Sequence, residues 1–104
     1  MIVRIWRASA HAAKRAAYPS HFHGAVLPAL QAIAGFRGAM LLQREQGADI
    51  EFLVLTRWDS LAAITAFAGD DVARAVVEPE AMAALTAFDR TAQHYEVVEG
   101  RAFG

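Results

Sequence analysis

The stretch IEFLVLTRWDSLAAITAF, residues 50–67, decides the fold. Side chains alternate along a strand, so Ile50, Phe52, Val54, Thr56 and Trp58 share one face. Glu51, Leu53, Leu55 and Arg57 share the other, which is apolar in its middle. A strand with two apolar faces is covered on both sides. After Trp58 the period changes. Leu61, Ile64 and Phe67 form a helical stripe, and Asp59 or Ser60 supplies an oxygen to cap its first N–H groups. Gly69-Asp70-Asp71 ends that helix.

Working outward, the polar link Glu45-Gln46-Gly47-Ala48-Asp49 predicts a hairpin joining the 50–58 strand to one over Gly38–Arg44. Before it, Tyr18, Phe22, Val26, Leu30 and Ile33 recur at helical spacing, which predicts a helix over 11–34. Pro19 and Pro28 remove backbone donors and should kink or split it, and Gly35 suits its C-terminal end. Residues 2–8 form a first strand. Beyond residue 71, Val72–Val77 reads as a short helical turn, Pro79 opens a helix over 79–86, and Thr91–Glu99 is a last strand. The order β-α-β-β-α-β is ferredoxin-like, an α+β fold with a four-stranded antiparallel sheet and helices on one face. Leu53, Leu55 and Leu41 then point away from the helices. Burying apolar area is worth about 25 cal/mol per Å², and a second copy of the same sheet is the simplest cover. A homodimer is expected.

With 104 residues the chain suits one domain, 1–104. A net charge of −1, with no Lys/Arg cluster on any segment, argues against a nucleic-acid partner. No cysteine is present, which excludes disulfides, thiolate metal sites and a Cys nucleophile. No apolar run reaches transmembrane length and MIVRIWRASA lacks a signal-peptide core, so no membrane is implied and a cytoplasmic location is expected.

In order, GFRGAMLLQRE, EFLVLTRWDSLAAITAFAGDD and HYEVVE resemble the antibiotic biosynthesis monooxygenase domain family, within the dimeric α/β-barrel superfamily. The most specific part is W-[DE]-S-x-x-x-[IF], beginning at Trp58. The family includes cofactor-free oxygenases of anthrones and quinols, haem-degrading oxygenases and members with no known activity. The resemblance implies an aromatic pocket wall at Trp58. In the haem-degrading members it also implies an asparagine on the first strand and a histidine after the tryptophan. This chain offers Ile5, Trp6 and Arg7 on that strand and places the histidine position at about Val77, so haem degradation is disfavoured.

Trp58 admits two readings. It is either an aromatic closing the core or a wall of a pocket between sheet and helices. Its place at a strand–helix junction predicts the second, with Tyr18 and Phe22 shaping the same pocket. Among the histidines, His21 and His23 stand two apart, about 200° around a helix, which chelates poorly, so no metal site is expected. His21 borders the apolar stripe, as a boundary histidine or a pocket base. His94 faces the helices or the opposite side according to register. If it faces the helices it could meet His21 across the pocket. The expected activity is a cofactor-independent monooxygenase of an electron-rich aromatic, with His21 or His94 as base and no cofactor. The alternative is a non-catalytic domain that binds a small ligand or a protein. The RNA-binding form of this topology would need aromatics on the open sheet face, where Leu53 and Leu55 stand instead.

Overall fold

The computed structural model describes residues 1–101. Strand β1 (Ile2–His11) leads through a turn of 3-10 helix to α1 (Ala17–His21) and α2 (Leu27–Gln31). Between the two helices, Phe22–Val26 forms a wide π-helical turn. Both prolines sit in the first turn of their helices, where a missing N–H costs least. Pro28 cannot donate to the carbonyl of Gly24, which accounts for the wide turn before it. The predicted 11–34 helix is therefore split.

Strands β2 (Phe36–Gln46) and β3 (Asp49–Trp58) form a long hairpin closed by Gly47-Ala48 alone. Gly47 has φ +64°, and among the described residues none other than glycine has positive φ, which matches a type II′ turn. Helix α3 (Leu61–Ala68) follows, with the Ser60 Oγ accepting from the Ala63 N–H at 3.2 Å. Residues 72–73 form a turn, closed by the Arg74 N–H donating to the Asp71 carbonyl at 3.0 Å, and 74–77 are extended, not helical. Arg74 bridges Thr91, the Ala75 N–H donates to the Arg90 carbonyl and the Ala92 N–H donates to the Ala73 carbonyl. The β-branched Val76 and Val77 favour the extended conformation. Helix α4 (Pro79–Ala84) and the short strands β4 (Ala87–Phe88) and β5 (Gln93–Glu96) complete the described chain.

The sheet order is β2-β3-β1, with β4 and β5 both paired to the outer side of β1, and every pairing is antiparallel. This is the ferredoxin-like arrangement, its fourth position shared by two short strands. Trp6, Ala8 and Ala10 of β1 and Ile50, Phe52, Val54 and Trp58 of β3 are buried toward the helices. The opposite face carries Val3, Ile5, Leu53 and Leu55 with no helix over them. Leu41 is not on it. Leu41 pairs with Val54 and packs into the core, while Met40 and Leu42 pair with Leu55 and Leu53 and are exposed. Along β2 the odd-numbered residues therefore share the helix face with the even-numbered residues of β3.

Gly35 fixes the joint between sheet and α3. Its φ is +91°, and a Cβ there would lie 2.6 Å from the Ala63 Cβ. Its carbonyl accepts the Asp59 N–H at 2.9 Å. Gly35→Ala should therefore cost about 3 kcal/mol, from backbone strain plus overpacking. Gly24→Ala, with nothing within 4 Å, should be neutral or stabilising by up to about 1 kcal/mol. Urea unfolding of both variants checks this, and an unchanged midpoint for Gly35→Ala would contradict it.

Candidate functional site

A cavity of about 40 Å³ lies between the helix-facing side of the sheet and the helices. Arg4 and Trp6 of β1 and Val54 and Thr56 of β3 form its floor. Tyr18 and His21 of α1 reach it from one side. Phe67 of α3, Val76, Glu78 and Ala81 close the other.

Arg4 is the unexpected member. It belongs to the buried face of β1 and is only 5% exposed. Its guanidinium donates to the carbonyl of Val72, to the carbonyl of Arg74 at 2.8 Å, and to Nε2 of His94 at 2.9 Å. Its Cζ stands 5.7 Å from the centre of the Phe67 ring. Among the described residues no carboxylate pairs with it. Burial lowers its pKa, yet a guanidinium stays charged at any physiological pH. A buried positive charge with neutral partners attracts an anion that enters beside it.

The register settles His94. It pairs with Arg4 across β1 and β5, so the two share the helix-facing side. A guanidinium only donates, so the Nε2 that meets it accepts, and the ring proton sits on Nδ1. Burial first, and the Arg4 charge second, lower the pKa of His94 and keep it neutral. It does not meet His21. It is absent from the cavity lining and is held behind Arg4.

His21 does line the cavity, and its Nε2 is buried with no hydrogen-bond partner. Such atoms are scarce in folded proteins, because an unpaired buried polar group costs about 1–3 kcal/mol. Tyr18, 6.3 Å from His21 between ring centres, is buried among Trp6, Phe22 and Phe52. Burial, with the Glu78 carboxylate adding, pushes its phenol far above the usual range, so it remains a neutral O–H. Phe22 is buried in the adjoining core and does not border the cavity. His23 is exposed, and His11 is exposed with Nδ1 3.1 Å from Asp49. No group of three metal-ligating side chains occurs among the described residues.

Trp58 is placed differently from the expectation. It is 0% exposed and packs against Leu30, Ile64, Phe36 and Phe67 in a separate core cluster, outside the cavity lining. The close approach of Gly35 to Ala63 draws α3 onto the strand end, so no space opens there. Trp58 backs the cavity lining at Leu30 and Phe67, and at Thr56, whose Oγ1 accepts its indole N–H at 2.8 Å.

A profile of the antibiotic biosynthesis monooxygenase family matches residues 1–79. The chain belongs to that family. No curated protein matches it. Among solved structures, it is similar to a Deinococcus radiodurans protein provisionally assigned as an antibiotic biosynthesis monooxygenase. The two are 19% identical over 100% of this chain and 99% of that one, with a TM-score of 0.66. It is also similar to the haem degrader MhuD of Mycobacterium tuberculosis, solved with two haems in its active site. That identity is 24% over 98% of this chain and 100% of that one, with a TM-score of 0.62. A mutant of MhuD with two manganese protoporphyrin IX molecules per active site is 23% identical over 99% and 100%, with a TM-score of 0.62. At these identities the likeness is one of fold. No helix among the described residues is long and apolar enough to cross a membrane.

As it stands the cavity does not hold a haem, although the unpartnered Nε2 of His21 is a nitrogen that could ligate iron. The space of about 40 Å³ is far below the roughly 300–1,000 Å³ of an ordinary ligand pocket. Val76 borders it and Val77 packs against the neighbouring core, and neither offers a ligand atom.

Trp58 as a core plug carries a stability consequence. Trp58→Phe leaves a void and frees the Thr56 hydroxyl, so it should lose about 2–3 kcal/mol in denaturant unfolding. A loss under about 0.5 kcal/mol would return Trp58 to a cavity wall.

Proposed function

We propose that the protein is a cofactor-independent monooxygenase of an electron-rich aromatic, a quinol or an anthrone. One observation carries the reading: an unpartnered buried histidine nitrogen and a buried guanidinium without a carboxylate border the same largely apolar cavity. In this chemistry His21 Nε2 takes an acidic proton from the substrate. A neutral imidazole nitrogen within reach of the substrate suits that role. Arg4 holds the oxygen on which the negative charge settles, and its charge lowers the substrate pKa in a site of low dielectric. The anion passes one electron to dioxygen, and the radical pair combines to form a carbon–oxygen bond. For an anthrone-like CH₂ the hydroperoxide then loses water to leave a carbonyl, so one substrate and one O₂ give one ketone and one H₂O. His94, with Nε2 already engaged by Arg4, acts as a positioning residue and not as the base. Tyr18 and Trp6 supply apolar walls that exclude water.

The small volume of the cavity requires the wall formed by 76–81 to move when substrate enters. It also favours the second reading, a non-catalytic ligand-binding domain on the same scaffold. Aerobic oxygen uptake with a panel of anthrones and hydroquinones separates the two. Uptake is expected, with His21→Ala lowering kcat by about 10²-fold or more. No uptake across the panel would leave the binding reading. A shifted Soret band on equimolar addition of haemin would place the protein with the haem degraders instead.

The uncovered sheet face supports a homodimer. Val3, Ile5, Met40, Leu42, Leu53 and Leu55 form an apolar patch on the side opposite the helices. Packing two such faces removes it from water. Leu53→Lys sets an unpaired charge in that interface and should weaken association by several kcal/mol. Sedimentation of the unaltered chain as a monomer at micromolar concentration would contradict the dimer.

A further inference from the structure

A second space lies against the outside of the cavity wall. It is a groove of about 610 Å³ bordered by the end of α3, the extended segment 74–77, Met82, Phe88 and Arg90. Phe67 and Val76 border both spaces. Ala81 faces the inner one and its neighbour Met82 the outer one. One layer of side chains therefore separates a cavity too small for an aromatic ring system from a groove within the roughly 300–1,000 Å³ range of ligand sites.

The groove has a distinct chemistry. Its lining side chains are apolar apart from two arginines, Arg74 and Arg90, and no Asp or Glu lines it. Among the described residues neither arginine pairs with a carboxylate. Single unpaired arginines on a surface are ordinary and mean little. The backbone sets them on adjacent segments, with the Ala75 N–H donating to the Arg90 carbonyl at 3.0 Å and Arg74 bridging Thr91, and both arginines border the groove. Arg4 of the inner cavity in turn donates to the Arg74 carbonyl at 2.8 Å. The backbone that carries Arg74 is thus tied to the floor of the inner site. Guanidinium forks match the planar geometry of a carboxylate, and an apolar surface between them suits the ring that bears it.

We propose that this groove is the outer half of the same site and selects an aromatic substrate bearing a carboxylate. The carboxylate rests on Arg74 and Arg90, and the ring crosses Phe67 and Val76 toward His21. The fate of the ring rests on the monooxygenase reading, whereas the recognition of the anion does not.

The test is anaerobic calorimetry on the full chain with two probes, 1-hydroxy-2-naphthoate and its uncharged methyl ester. The acid should bind about tenfold tighter than the ester or better at low salt. The double variant Arg74→Gln with Arg90→Gln should abolish that preference and leave the ester unchanged. Arg74→Lys with Arg90→Lys should restore part of it, and circular dichroism confirms that both variants fold. Equal affinity for acid and ester, no binding of either, or a preference that survives the glutamine pair would each overturn the proposal. Acid selectivity without oxygen uptake would sink the oxygenase reading alone. Oxygen uptake on uncharged quinols without acid selectivity would sink this one alone.

Discussion

A positive charge is buried on the central strand of this sheet, and much of the molecule is arranged around it. Arg4 stands between Ile2 and Trp6 on the helix-facing side of β1, and its guanidinium must be satisfied by whatever packs there. The partners are two backbone carbonyls, an imidazole and an aromatic face. They come from the 72–74 segment, from β5 and from α3. Each is neutral, so the hydrogen bonds are met while the charge is left without a counter-ion. That imbalance favours an anion in the cavity beside it, in a space that the Glu78 carboxylate also lines.

The same interaction explains the form of the segment after α3. A helical turn over 72–77 would turn its carbonyls along the helix axis and into its own hydrogen bonds. A single turn at 72–73 followed by an extended strap instead presents the carbonyls of Val72 and Arg74 to Arg4, and the strap pairs on its other edge with 90–92. The strap becomes the wall of the cavity on one side and of the groove on the other.

Much of the fold was legible because it rests on periodicity. The two apolar faces of 50–58, the glycine in the hairpin, the Ser60 cap and the prolines in 11–34 each have a local cause. The site was less legible, for reasons particular to its residues. Arg4 looks like a solvent residue in a short strand, although its sharing a face with Trp6, Ala8 and Ala10 was a signal available in the alternation. His94 depended on register, which only its pairing with Arg4 decides. Trp58 was misplaced because Gly35 lets α3 approach closely, a contact between residues 28 apart. Leu41 was assigned to the open face, where Met40 and Leu42 stand. The phase of β2 relative to β3 comes from the two-residue Gly47-Ala48 loop, shorter than the five-residue link expected.

Arg4 holds the strap to the sheet, and amide hydrogen exchange in Arg4→Met reads this most directly. Methionine keeps the apolar stem and removes the donors. The amides of Ala75 and Ala92, which close the strap onto 90–92 and 73, should exchange about tenfold faster or more, relative to the amides of the β2–β3 hairpin in the same variant. Protection at Ala75 and Ala92 unchanged relative to the hairpin would show that the strap stands without the buried charge, and would contradict the account.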